Sequence, residues 1–226
     1  MHQRISKKII IYLFLFSLFT TVNNKSLNKL NFPNINSIKV SGLDLKEYKE
    51  LEKNINYLNH QNIFFLNEFK IKNFFLSNEI IEQISIFKNY PSKLEVNIEK
   101  TRFLAITNKE GKIFFIGSNG KFIKSENLNI ISNLPFIFGN LDKKEFLKFK
   151  EIIDISNFKY ERIKNLYFYP SKRWDIETKK GFLIKLPKDN LKKTLNFLTI
   201  LLKENEFQDK KIIDLRQKNQ VIVNEK

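Results

Sequence analysis

Hydrophobic positions along the chain change their spacing repeatedly, and each change marks an element. The first pattern is an unbroken apolar run, Ile9 to Val22, without a charge and preceded by Arg4, Lys7 and Lys8. Wound as a helix it measures about 21 Å at ~1.5 Å per residue, against about 30 Å of bilayer hydrocarbon. Lysine stems can snorkel at one end, and Thr20 to Asn24 suit the interface at the other. A cleaved signal peptide is the rival reading, but Phe19-Thr20-Thr21-Val22-Asn23 offers no small-x-small pair. The expectation is a cytoplasmic tail over 1–8, a transmembrane anchor over 9–22 and a polar linker with Pro33 over 23–34. Basic residues ahead of the span put the amino end in the cytoplasm and the bulk of the chain outside it.

From Ser37 the period shortens. Ile38 and Val40 alternate with polar neighbours up to Ser41-Gly42, which reads as a strand and a turn. Asp44 is placed to cap a helix with Leu45, Tyr48, Leu51, Ile55 and Leu58 on one face. Asn62 to Leu66 is a short extended piece, and Asn67 caps a second helix through Leu76 with Ile71, Phe74 and Phe75 inward. From Ile81 the period is two again. Ile84 and Ile86 face opposite to Ser85 and Phe87; after the turn Asn89-Tyr90-Pro91-Ser92, Leu94, Val96 and Ile98 make the returning inner face. Two helices over one side of a three-stranded sheet form a stable two-layer β-α-α-β-β unit, expected over 35–101.

Beyond Phe103 short strands dominate. Turns at Asn108-Lys109-Glu110-Gly111 and Ser118-Asn119-Gly120 join the first of them, the second because Asn-Gly takes positive φ readily. Leu134-Pro135 opens a short strand that ends at Gly139, and Lys143 to Ile155 has helical spacing. Ile163–Tyr169, Trp174–Thr178 and Phe182–Leu186 read as strands, Leu191–Leu202 as a helix, and Lys211–Leu215 and Val221–Val223 as the last strands. Trp174 reads as core. The whole is an α+β chain with one amino-terminal transmembrane helix and, over 102–226, a mixed β-rich domain with two helices.

Composition then narrows the chemistry. There is no cysteine, so disulfides and thiolate metal sites are excluded, and of the two histidines His60 falls in a polar turn. The net charge of +16 invites a polyanion, but the lysines are spread along the chain, and scarce Ala, Gly and Pro beside abundant Lys, Asn, Ile and Phe reflect an AT-rich coding sequence. No nucleic-acid role is expected. No phosphate loop, metal spacing or nucleophile elbow is present, and Glu79 with Glu82, or Asp209 with Asp214, read as solvated faces. The chain is expected to be no enzyme and to need no cofactor.

The order of motifs resembles the FtsQ/DivIB family of bacterial cell-division proteins. Ile38, Val40 and Gly42 resemble that family's opening strand, and Asn62-Ile63-Phe64 its Asn-hydrophobic-Phe piece. Ile81, Ile84, Ile86, Lys88 and Pro91 follow its spaced hydrophobic-basic-Pro pattern, and Glu99 and Ala105 its domain junction, where Lys100 and Phe103 replace the usual Arg and Pro. Gly117-Ser118 stands where the family often has an Asp before its Gly turn. Leu134-Pro135 with Gly139, Arg173-Trp174 with Gly181 and Leu186-Pro187, and Ile213-Asp214-Leu215-Arg216 match its later blocks. The resemblance implies a POTRA domain over 35–101, a bitopic inner-membrane protein acting in septation, and a non-catalytic scaffold role. Its implied partners are the FtsB–FtsL pair and other membrane-embedded division proteins. Recruitment is expected at the last strands by strand addition, with Arg173, Gln217, Lys218, Asn219, Gln220, Val221, Ile222 and Val223 as the contact residues. Other POTRA-bearing assembly proteins, or a secreted basic polyanion-binding protein, are the alternatives.

Overall fold

A computed structural model describes residues 7–21, 33–125, 133–204, 211–218 and 220–224. The elements run α1 (Lys7–Thr21), β1 (Ser37–Ser41), α2 (Leu45–Leu58), α3 (Glu68–Leu76), β2 (Ile81–Asn89), β3 (Lys93–Lys100), β4 (Phe103–Lys109), β5 (Lys112–Gly117), β6 (Phe122–Lys124), β7 (Phe136–Phe138), α4 (Lys143–Asp154), a 3-10 turn (Tyr160–Arg162), β8 (Ile163–Phe168), β9 (Trp174–Thr178), β10 (Leu183–Lys185), α5 (Leu191–Leu201), β11 (Ile212–Asp214) and β12 (Ile222–Asn224). Strands β1, β3 and β2 form a three-stranded sheet in that order, and the other nine form one sheet, β12-β11-β10-β9-β8-β7-β4-β5-β6. By packing, the described residues form two compact units. One takes the residues up to 39 with 49–66 and 87–95; the other takes 40–48, 67–86 and 96 onward.

The apolar run is helical, as its pattern predicts. Helix α1 has 15 residues, about 22 Å at ~1.5 Å per residue. No helix among the described residues is long and apolar enough to cross a membrane. The large apolar side chains of α1 between Ile9 and Phe19 are exposed, from Leu15 at 44% to Phe19 at 79%.

In the first unit Ile35, Leu51, Ile55, Leu58, Ile63, Leu66 and Leu94 are buried. Two helix faces are narrower than the spacing predicts. Leu45 is 85% exposed and Tyr48 36%, because the first turn of α2 serves charge instead: Asp44 Oδ1 accepts from the Lys46 and Glu47 N–H groups, and Glu47 Oε2 accepts from Asp44 N–H. That reciprocal cap satisfies donors the helix itself leaves open. On α3 Ile71 and Phe75 are buried but Phe74 is 47% exposed. Successive helical residues turn by about 100°, and a helix this short buries only one i, i+4 pair. Asn67 caps α3 as expected, its Oδ1 accepting from Lys70 N–H at 3.1 Å.

The turn Ser118–Lys121 ties the β-rich sheet to the end of α3 and the start of β2. Asn119 Nδ2 donates to the carbonyls of Glu79 (3.0 Å) and Ile81 (3.1 Å). Lys121 Nζ donates to those of Leu76 and Asn78, a cation on the carbonyl end of a helix where the backbone partial charge is negative. Ser118 bonds Glu82 and Thr101. Glu82 is therefore not a solvated carboxylate as the sequence reading expects.

In the large sheet one row crosses seven strands: Thr107, Ile137, Leu166, Ile176, Ile184, Ile213 and Val223 are successive register partners. The first six are buried, and the Thr107 hydroxyl donates to Ile137 O at 3.1 Å. Phe146, Phe149 and Ile153 of α4, with Leu195, Leu198 and Leu201 of α5, belong to the same core. Trp174, 3% exposed, stacks on Phe149 with centroids 4.7 Å apart and planes 7° from parallel. Gly139 ends β7 at φ +111°, where an added Cβ would lie 2.1 Å from Phe168 O. Only glycine meets both demands.

Candidate functional site: the β12 edge and its basic groove

Strand β12 is the last of the nine, paired antiparallel to β11 through Ile212↔Asn224, Ile213↔Val223 and Asp214↔Ile222. One side of its backbone has a ladder partner; the other points its N–H and C=O groups off the sheet. Ile222 is 51% exposed on the face opposite to the core, while Val223 packs against the core. The edge begins later than the sequence reading has it. Gln217, Lys218, Gln220 and Val221 form the return from β11, not strand, and Asn219 lies outside the described residues.

These return residues are not idle. With Arg173 they line one groove of about 870 Å3, shared with Lys188, Lys193, Phe197, Leu215 and Arg216. Five cationic side chains (Arg173, Lys188, Lys193, Arg216, Lys218) face the single carboxylate Asp189 in this lining. Apart from Asn219, the structure thus brings Arg173 together with the predicted turn residues, and the edge strand leads out of the same turn.

Arg173 is less available than a bare surface arginine. Its Nε lies 3.2 Å from Asp175 Oδ1 and its Nη2 3.5 Å from Oδ2, and its guanidinium sits 4.3 Å from the Tyr169 ring centre. Two of its five donors are used there. Asp175 is 1% exposed, yet it stands on the sheet face away from the helices. Its row explains this: Tyr167, Asp175, Lys185, Asp214 and Ile222 are register partners across β8 to β12. Lys185 sits between the two aspartates, an alternation of charge that stabilises neighbouring strands. Arg216 forks onto Asp214, Nε at 2.8 and 2.9 Å and Nη2 at 2.5 Å, and its own N–H bonds Oδ1 at 3.0 Å. The guanidinium beside it holds the Asp214 carboxyl below its ordinary value, against the opposing cost of burial. Burial, then the nearby Asp175 charge, raises the Tyr169 hydroxyl.

Asp214 is thus 8% exposed and doubly bonded, where the sequence reading makes it a solvated carboxylate. Asp175, Lys185 and Arg216 are absent from the predicted contact set. Alternation along Trp174-Asp175-Ile176 is the signal that places Asp175 opposite the core side chains, and its Arg173 partner lies only two residues away; its Lys185 neighbour is a matter of strand order, which sequence does not display. Along the same face Glu177 accepts from Lys164 Nζ (2.8 Å), Asn165 Nδ2 (2.9 Å) and Tyr167 OH (2.8 Å). Those bonds, Lys164 first, bring its carboxyl down to about 2.

Family models match both parts of the chain. "Cell division protein FtsQ/DivIB, C-terminal" matches residues 105–216, and "POTRA domain, FtsQ-type" matches 34–100. The chain belongs to the FtsQ/DivIB family. Among relatives, FtsQ of Rickettsia bellii is 24% identical over 198 residues, 84% of this chain and 71% of that protein. DivIB of Clostridium botulinum strain Hall is 25% identical over 205 residues, 90% of this chain and 65% of that protein. The major extracytoplasmic domain of DivIB from Geobacillus stearothermophilus aligns over 47% of this chain and 94% of its own, at 12% identity and a TM-score of 0.36. FtsQ/DivIB proteins are cell division proteins and are not known as enzymes. This chain accordingly belongs to septation and to the proteins of the divisome.

Proposed function

We propose that this FtsQ/DivIB chain is a non-catalytic bitopic scaffold that recruits the FtsB–FtsL pair by strand addition to β12. A partner segment pairs with the outer side of Ile222–Asn224, and its side chains meet Arg173, the residues Gln217, Lys218, Gln220 and Val221, and the lysines of the groove. The observation that carries the reading is the position of β12: the last strand of a nine-stranded sheet, opening from a turn that lines a basic groove with Arg173. Backbone pairing supplies affinity in such an edge, and flanking pockets supply selectivity. Cations there favour a partner segment with carboxylates.

In this reading residues 35–101 are the POTRA-like domain and 102–226 the β domain. Helix α1 holds the chain in the inner membrane, with the amino end in the cytoplasm and the rest on the periplasmic side. A helix of about 22 Å suits a bilayer thinned around it, with Lys7 and Lys8 reaching the head groups.

The test titrates the full chain in detergent with the extracytoplasmic segments of an FtsB- and an FtsL-type protein, beside Val223→Pro. Proline removes a backbone donor in the middle of β12. Binding that falls at least tenfold in the variant, with an unchanged circular dichroism spectrum, is the expected result. Equal binding by both proteins moves the site away from this edge.

A further inference from the structure

The first compact unit gathers exposed aromatic side chains at one place. Phe64, 44% exposed, and Tyr90, 58% exposed, lie ring against ring with centroids 4.9 Å apart. Phe65 next to them is 76% exposed. Neighbouring aromatics on a surface mark a site of contact with a partner or a membrane.

The same end of the unit receives the chain from α1. Asn34 bridges Asn62, Ile35 N–H donates to Gln61 O at 3.0 Å, and Asn36 N–H donates to Ser92 O at 2.9 Å. Phe64 is two residues from the first tie and Tyr90 two residues from the last. Upstream, Thr21 ends α1, whose side chains from Ile9 to Phe19 are exposed and almost wholly apolar. The covalent reach from Thr21 to Asn34 is at most about 45 Å. The sequence between them carries Lys25, Lys29 and Phe32 and no acidic residue, and Lys93 is exposed beside Ser92.

We propose that Phe64, Phe65 and Tyr90 insert into the interface of the bilayer that holds α1, docking this end of the unit on the lipid surface. The proposal rests on reading α1 as membrane-embedded. Aromatic side chains favour the head-group layer, and lysines are drawn to anionic lipid. The tether makes the contact intramolecular, so a small patch suffices.

The chain has no cysteine, so single spin labels report cleanly. The full chain is reconstituted in vesicles of phosphatidylethanolamine and phosphatidylglycerol as Phe14→Cys, Phe65→Cys, Tyr90→Cys or Glu52→Cys, the last an exposed position of α2. Collisions of each label with oxygen and with a water-soluble nickel chelate give its depth. The expected result is that labels at 65 and 90 lose chelate collisions severalfold relative to 52, and that adding Phe64→Ser restores them at 90. If the label at 14 is shielded while those at 65 and 90 match 52, the docking is wrong and the anchor stands. If the label at 14 is itself open to the chelate, the anchor fails and the docking falls with it.

Discussion

Replacing Glu177 with glutamine removes one charge and leaves the side-chain shape. In the folded chain that carboxylate accepts from Lys164, Asn165 and Tyr167 at 2.8–2.9 Å, which lowers its pKa from the ordinary 4.5 to about 2. A gap of that size is worth roughly 3 kcal/mol between protonation states. Lys164 is 59% exposed, so solvent screens much of this, and about 1–2 kcal/mol is the expected contribution. The folded value lies below the unfolded one. The contribution is therefore complete above about pH 4.5 and is lost as pH falls toward 2. Urea unfolding of the full chain in mild detergent, followed by fluorescence of Trp174, the only tryptophan, measures it. E177Q should be less stable than the natural chain by about 1–2 kcal/mol at pH 7, with the difference shrinking steadily as pH falls from about 4.5 toward 2. A difference that stays constant, or widens on acidification, would refute the charge-assisted account.

Four further substitutions read other parts of the structure. Trp174→Ala removes a ring stacked on Phe149 in the core and should cost about 3–5 kcal/mol in the same urea experiment. Gly139→Ala forces a Cβ toward Phe168 O at positive φ and should cost more than about 1 kcal/mol, whereas alanine at Gly111, with nothing near its Cβ, should leave the β7–β8 contact untouched. Asn119→Ala withdraws two donors from the carbonyls of Glu79 and Ile81, so amides across 76–82 should exchange faster with deuterium, with about 1 kcal/mol of local stability lost.

Much of this architecture is legible in the sequence because its signals are local. Caps at Asp44 and Asn67, the positive φ of Gly120, and the alternation of Leu94, Val96 and Ile98 each depend on neighbours within a few residues. Helix faces are less legible at their margins, since Leu45 and Phe74 have the right spacing but no wall to pack on. The site divides in the same way. That a strand near Val221–Val223 ends the sheet follows from pattern and family likeness; that Arg173 stands in the groove lined by Gln217 and Lys218 depends on β9, β10 and β11 lying side by side. The Asp175–Lys185–Asp214 row is invisible for the same reason, because its members meet only through the strand order β9-β10-β11.

Hydrogen–deuterium exchange of the full chain, with and without the extracytoplasmic segments of FtsB- and FtsL-type proteins, tests the proposed recruiting edge most directly. Amides of Val221 to Asn224 belong to the outermost strand and its lead-in, and a partner strand would bond those that point outward. The account predicts that exchange at 221–224 slows at least tenfold on binding, while exchange in β5 and β6 at the opposite edge stays as it was. Tight binding with no added protection at 221–224 would contradict it.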